Sequence, residues 1–181
     1  GLKLIGLGTG PRQVYWQGAA ADSVTLALTA AYIQVENIYF RVPAYSAGTP
    51  AAISFANAGY AVIRNCRFQG QTASRNALYS AAANSDNVTI QSCQFMYLNT
   101  ATYGCAMKGV EAGGLSYSGW RVIDCTFNSC VTAIDMNFRA SLIQGCQFPD
   151  GGIDAAGTVG TVLALGIDIS GTSSGGNVVT E

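Results

Sequence analysis

The stretch Val88-Thr89-Ile90-Gln91-Ser92-Cys93-Gln94-Phe95 decides the reading of this chain. Apolar and polar side chains alternate through Ile90, Ser92 interrupts, and Cys93 and Phe95 resume the apolar positions. Working outward, Ala61-Val62-Ile63-Arg64-Asn65-Cys66-Arg67-Phe68 precedes it and Trp120-Arg121-Val122-Ile123-Asp124-Cys125-Thr126-Phe127 follows it. Beyond those lie Ile33-Gln34-Val35-Glu36-Asn37-Ile38-Tyr39-Phe40 and Ser141-Leu142-Ile143-Gln144-Gly145-Cys146-Gln147-Phe148. The five share one pattern: apolar, any, apolar, any, small or polar, Ile or Cys, any, Phe. Phe40, Phe68, Phe95, Phe127 and Phe148 stand 28, 27, 32 and 21 residues apart. A repeat of that size marks a solenoid.

Period-2 alternation makes each copy a strand with one face turned inward. The inward set is Val35, Ile63, Ile90, Val122 and Ile143, then Ile38 with Cys66, Cys93, Cys125 and Cys146, then the phenylalanines. Asn37, Asn65, Ser92, Asp124 and Gly145 interrupt the alternation at one place in every copy. Such residues bend a chain and satisfy nearby backbone groups. A second strand recurs upstream: Ala52-Ile53-Ser54-Phe55, Ala77-Leu78-Tyr79-Ser80, Ala106-Met107-Lys108-Gly109 and Ala133-Ile134-Asp135-Met136. Each coil therefore holds at least two strands and a polar bend. Stacking the coils pairs each strand in parallel with its copy about 4.8 Å away. The expected fold is an all-β parallel β-helix of about five to six coils, one segment over residues 1–181. After Phe148 the register stays open: Gly152-Ile153-Asp154 and Gly166-Ile167-Asp168 both fit the next rung.

Composition agrees. Only 10% of the 181 residues are charged and 49% are hydrophobic. Like charges stacked one strand spacing apart repel, whereas Gln, Asn, Ser and Thr stack without that penalty. The formal net charge is −1, and nine Lys and Arg residues are spread along the chain, so nucleic acid is not an expected partner. No apolar run approaches the roughly 18 residues that would cross a bilayer, and no membrane insertion is expected. The chain opens on Gly1 rather than Met and ends on the strand-like Asn177-Val178-Val179-Thr180-Glu181, as an interior portion of a longer protein would. Six cysteines lack any Cys-x-x-Cys pair. The four at the repeated position, Cys66, Cys93, Cys125 and Cys146, read as buried, unbridged thiols acting as small hydrophobes.

The apolar, Cys and Phe ladders with their Asn-rich bend resemble the right-handed parallel β-helix superfamily of pectate lyases and phage tailspikes. So do the opening Leu4-Ile5-Gly6-Leu7-Gly8 and the strand Val24-Thr25-Leu26-Ala27-Leu28. The resemblance covers about residues 2–148 and is closest to a tailspike or tail-fibre β-helix. It implies a right-handed coil and a structural, receptor-binding protein that holds cell-surface polysaccharide. It further implies a homotrimer in the virion tail, assembled in the host cytoplasm, where thiols stay reduced. The alternatives it leaves are a polysaccharide depolymerase on the same scaffold and a bacterial surface adhesin or filament protein outside the cell.

Chemistry is sparse. With no histidine there is no Ser-His-Asp triad, no His-ligated zinc and no imidazole base. No cofactor and no metal site are expected. Gly6-Leu7-Gly8-Thr9-Gly10 is read as tight-turn glycines, since Pro11-Arg12-Gln13-Val14 opens no helix to hold a phosphate. A clustered calcium site with an arginine base is not visible in Asp86, Asp124 and Arg121. Paired carboxylates remain. The outward column of the second strand reads Ser54, Tyr79, Lys108, Asp135, then Asp154 or Asp168. Two aspartates on adjacent rungs would stand near the separation a retaining glycosidase uses. Asp135, Asp154, Asp168 and Glu111 are thus the catalytic candidates, set against a plain Lys108–Asp135 surface ion pair. Tyr79, Lys108 and Asp135 are the saccharide-binding candidates. Tyr45, Tyr79, Tyr97, Tyr103 and Tyr117 lie outside the ladders, where rings could pack against sugar faces. The opposite outward column, Tyr39, Arg67, Gln94, Thr126 and Gln147, carries no acid and reads as plain solvation or a subunit seam.

Overall fold

The computed structural model describes residues 1–8, 14–18, 20–44, 48–71, 74–80, 84–98, 104–109, 117–130, 132–148, 167–168 and 178–180. Among these residues every regular element is a strand, and the strands of each sheet pair only in parallel. The architecture is a parallel β-solenoid. Three sheets run along it. Sheet A has seven strands: Lys3–Ile5, Gln34–Glu36, Val62–Arg64, Thr89–Gln91, Arg121–Ile123, Leu142–Gln144 and Val178–Thr180. Sheet B has five: Tyr15–Gln17, Tyr39–Arg41, Arg67–Gln69, Gln94–Leu98 and Thr126–Cys130. Sheet C has six: Val24–Leu28, Ala51–Phe55, Asn76–Ser80, Cys105–Gly109, Thr132–Asp135 and Ile167–Asp168. No helix among the described residues is long and apolar enough to cross a membrane.

The bent strand of the sequence repeat is two strands in two sheets. Its Asn, Ser, Asp or Gly residue takes a left-handed conformation, with φ of 58° at Asn37, 51° at Asn65, 52° at Ser92, 52° at Asp124 and 62° at Gly145. That single residue turns the chain from sheet A into sheet B. Its N–H then leaves its own rung and donates to a carbonyl on the next: Asn65 to Gln91 at 3.0 Å, Ser92 to Ile123 at 2.9 Å, Asp124 to Gln144 at 2.9 Å. A backbone donor at a corner that would otherwise be orphaned is satisfied rung by rung.

A second left-handed ladder, absent from the sequence reading, turns sheet C into sheet A. It comprises Tyr32, Tyr60, Asn87, Gly119 and Ala140, with φ between 47° and 69°. Its amides also bridge rungs, Tyr60 to the Asp86 carbonyl at 2.9 Å and Asn87 to that of Ser118 at 2.7 Å. Tyr32 and Tyr60 are exposed, with parallel rings 5.0 Å apart. A short extra pairing, Tyr117–Ser118 with Phe138–Arg139, adds a fourth strand to two of the turns.

The core is the set of ladders. Val35, Ile63, Ile90, Val122 and Ile143 stack in register down sheet A and are buried. Ile53, Leu78, Met107 and Ile134 do the same down sheet C. In sheet B, Phe40, Phe68, Phe95, Phe127 and Phe148 form one stack with centroid spacings of 5.2, 4.9, 4.8 and 5.0 Å and interplanar angles of 7° or less. Trp16 extends it below Phe40 at 5.8 Å. Trp120 is buried and donates its indole N–H to the Ser85 carbonyl at 2.6 Å. All six cysteines are free. Each thiol of the column Cys66, Cys93, Cys125 and Cys146 sits over a main-chain carbonyl of its own rung, at 3.3 to 3.5 Å.

Candidate functional site

Two outer faces carry polar chemistry. The first is the expected column on sheet C. Register places Ser54 beside Tyr79, Tyr79 beside Lys108, Lys108 beside Asp135 and Asp135 beside Asp168. The pairing of Ile167–Asp168 with Ile134–Asp135 answers which segment forms that rung. Asp154 and Glu111 lie outside the described residues. Within the column, the Lys108 ammonium donates to Asp135 Oδ2, and the two side chains are 31% and 24% exposed. The saccharide candidates Lys108 and Asp135 therefore satisfy one another. Beneath them the Cys105 thiol is pushed up by burial, with the Asp135 charge adding to the same direction. Among the described residues no group of three or more Asp, Glu, Cys or His side chains is placed to hold a metal.

The loop aromatics divide. Tyr117 is fully buried and donates its hydroxyl to the Ser80 carbonyl at 2.6 Å, so it presents no ring to a sugar. Its extra strand carries it into the core beside Trp120, at 6.0 Å. Tyr97 is exposed at a left-handed bulge, with Ser129 its counterpart one rung on. Tyr45 and Tyr103 lie outside the described residues.

The second face is the outside of sheet B, expected to be plain solvation or a subunit seam, and it holds a cleft. In each strand the residues flanking the ladder aromatic point outward: Tyr15 and Gln17 around Trp16, Tyr39 and Arg41 around Phe40, Arg67 and Gln69 around Phe68. Three rungs of these build an open cleft of about 440 Å³ lined by Tyr15, Tyr39, Arg41, Gln69 and Gln71, floored by Ala44 and Gly70. Its side chains are tied together. Arg41 Nη1 donates to the Tyr15 hydroxyl at 3.3 Å, which donates to Gln17 Oε1 at 2.7 Å. The Tyr39 hydroxyl donates to Gln69 Oε1 at 2.5 Å, and Gln71 Nε2 donates to the Val42 carbonyl at 3.1 Å. Tyr15 and Tyr39 meet edge to face, 5.2 Å between centroids.

Arg67 is set apart from the solvated column expected of it. It is only 8% exposed, with its guanidinium 5.5 Å from the centre of the Tyr39 ring. Packing over that ring removes the side chain from water, and its Nε has no hydrogen-bond partner. Sequence reasoning passed over this face because it looked for acids. The available signal was the run of outward neighbours of the ladder aromatics: Tyr, Gln, Tyr, Arg, Arg, Gln, polar at the tip and without a carboxylate. No known family model, curated protein or solved structure matches this chain.

Proposed function

We propose that the chain is a glycan-binding stretch of a β-helical spike or fibre, of the kind phages carry on their tails, assembled as a homotrimer and directed at cell-surface polysaccharide. One observation carries the reading: the sheet B cleft, where two tyrosines, an arginine and two glutamines on three rungs are held by their own hydrogen bonds. Tyrosine rings pack on the apolar faces of sugars and their hydroxyls pair with sugar hydroxyls. A preorganised set loses little rotamer freedom on binding. The rungs repeat about every 4.8 Å along a stiff axis, which suits a long repetitive ligand lying across several of them. The column Tyr79, Lys108 and Asp135 on sheet C supplies a second polar strip for the same purpose. Titrating the chain with capsular and lipopolysaccharide-derived oligosaccharides, read by calorimetry, is expected to give saturable binding that is weakened by Tyr39→Phe, which keeps the ring beside Arg67 and removes only the hydroxyl. Absence of binding across the panel overturns the reading.

A depolymerase reading rests on Asp135 and Asp168 being register neighbours. Adjacent rungs stand about 4.8 Å apart, near the carboxylate separation a retaining glycosidase uses. Chromatography of polysaccharide after incubation with the chain should then show shortened chains that Asp168→Asn abolishes. Undegraded polymer leaves binding alone.

A further inference from the structure

We infer that Arg67 is a positioning residue of the sheet B cleft: it does not line the cleft, and it acts there through the ring of Tyr39. The inference rests on the glycan-binding reading and adds the residue that sets the geometry of its central tyrosine. Three observations lead to it. First, Tyr15, Tyr39 and Arg67 are consecutive members of one outward column, paired rung to rung. The Tyr39 ring therefore meets Tyr15 on the rung below, edge to face at 5.2 Å, and the Arg67 guanidinium on the rung above, 5.5 Å from its centre. Second, Arg67 is 8% exposed, its Nε has no hydrogen-bond partner, and the ion pairs among the described residues do not include it. Burying a guanidinium is costly unless something compensates its charge. Here the compensating group is the electron-rich face of Tyr39. Third, one strand, Arg67–Gln69, holds Tyr39 at two points. Arg67 packs on its ring, and Gln69 Oε1 accepts from its hydroxyl at 2.5 Å. Ring plane and hydroxyl direction are fixed together.

The consequence falls inside the cleft, which Tyr39 and Gln69 both line. With its proton committed to Gln69, the Tyr39 hydroxyl meets a ligand as an acceptor, while Gln69 keeps its amide N–H groups as donors. An acceptor beside a donor matches neighbouring hydroxyls of one sugar, each of which can donate and accept. That polarity lasts only while the ring stays in place. A ring turned away from Gln69 loses the bond and no longer offers a fixed acceptor. The contact with a cation is directional and strengthens where water is excluded, so it holds the ring more firmly than an apolar side chain of the same reach. The next rungs place Gln94 and Thr126 at this column position. A buried cation stands only where the rung below carries a cleft tyrosine.

The test uses the tightest-binding oligosaccharide of the capsular and lipopolysaccharide panel. Arg67→Met keeps the reach and apolar bulk of the side chain and removes its charge. It is expected to lower the affinity about fivefold, within the range a cation–ring contact supplies. The melting temperature should hold or rise, since the group removed is a buried charge with an unpartnered nitrogen. A residue that only packs would move affinity and stability together. Arg67→Lys, which restores a cation beside the ring, should recover most of the affinity. In a Tyr39→Phe background, where the hydroxyl is already gone, Arg67→Met should weaken binding little further, a non-additivity that identifies Tyr39 as the residue it acts through. Isotope labelling of the Tyr39 ring gives a readout that needs no ligand: by NMR line shape the ring should flip faster in Arg67→Met than in the parent. Undiminished affinity in Arg67→Met, a lysine chain no tighter than the methionine chain, equal losses in the two backgrounds or an unchanged flip rate each overturns the inference and leaves the glycan reading standing. If the parent binds no oligosaccharide the glycan reading falls, and the flip rate alone then decides whether Arg67 holds Tyr39.

Discussion

Gly145 holds the corner position that Asn37, Asn65, Ser92 and Asp124 hold on the other rungs, and it alone has no side chain. The reason lies one rung below. A Cβ built on Gly145 would run into the Asp124 carboxylate. Gly145→Ala must therefore bear both the left-handed backbone penalty and that collision. It is expected to destabilise by about 1–2 kcal/mol in urea denaturation; an unchanged midpoint would show that Asp124 swings aside freely. The thiols make a second prediction at this scale. Burial raises the Cys93 thiol well above its ordinary value of 9.0, with hydrogen bonds from Cys125 and Cys66 acting the same way. The folded chain then keeps a proton that the unfolded chain releases. That contribution is complete below about pH 9 and is lost as the pH rises beyond it. Stability measured against pH should be level near neutrality and fall in alkali, and Cys93→Val should flatten part of the fall. A disulfide reagent should label Cys93 only as fast as the chain opens.

At the level of the element, the repeat was legible wherever one residue type recurs at one place. Five phenylalanines, four cysteines and five small or polar bend residues name the inner faces of sheets A and B and the corner between them. The inward residues of sheet C, Ile53, Leu78, Met107 and Ile134, were likewise legible from their alternation. What stayed hidden is what does not repeat. The second left-handed corner is occupied by Tyr32, Tyr60, Asn87, Gly119 and Ala140, five positions that share only a backbone angle. Asn87 and Gly119 favour that angle by themselves, but nothing in the side chains of Tyr32, Tyr60 and Ala140 announces it, and at the two tyrosines a neighbouring-rung hydrogen bond holds it. The sheet B cleft was hidden for a related cause. Its residues come from three rungs, and outward positions are free to differ where no core constrains them. The sheet C column was legible by position but not by partner. As a free surface aspartate, Asp135 would tolerate Asn within about 0.5 kcal/mol. Paired with Lys108 and largely covered, it should lose somewhat more, about 0.5–1 kcal/mol, in Asp135→Asn. The double change of Lys108→Met with Asp135→Leu should recover the loss, since removing both partners leaves no charge unpaired. A double variant weaker than either single one would mean that the pair anchors more than itself.

For the whole molecule, each rung touches only the rungs beside it, so stability accrues by neighbour contacts along the axis rather than around one central core. The aromatic stack makes this measurable. Phe95 lies between Phe68 at 4.9 Å and Phe127 at 4.8 Å, and its ring is wholly buried. Trp16 meets Phe40 at a tilt of 48° and is 38% exposed. The larger side chain should therefore be the cheaper one to remove. Phe95→Ala opens a cavity bounded by rings on both sides that cannot close without shifting two rungs, and it should cost about 3–5 kcal/mol. Trp16→Ala deletes contacts on one side only and should cost about 1–2 kcal/mol. Amide exchange should follow the same geometry. In the Phe95→Ala chain, protection should drop together at Arg67–Gln69, Gln94–Leu98 and Thr126–Cys130, the strands paired across the gap. In the Trp16→Ala chain the drop should stop at Tyr39–Arg41, among the described residues the one sheet B strand paired with Tyr15–Gln17. Equal losses for the two variants, with exchange rising throughout the chain in both, would mean that the solenoid melts as one unit and that the stack distributes its energy along the whole axis.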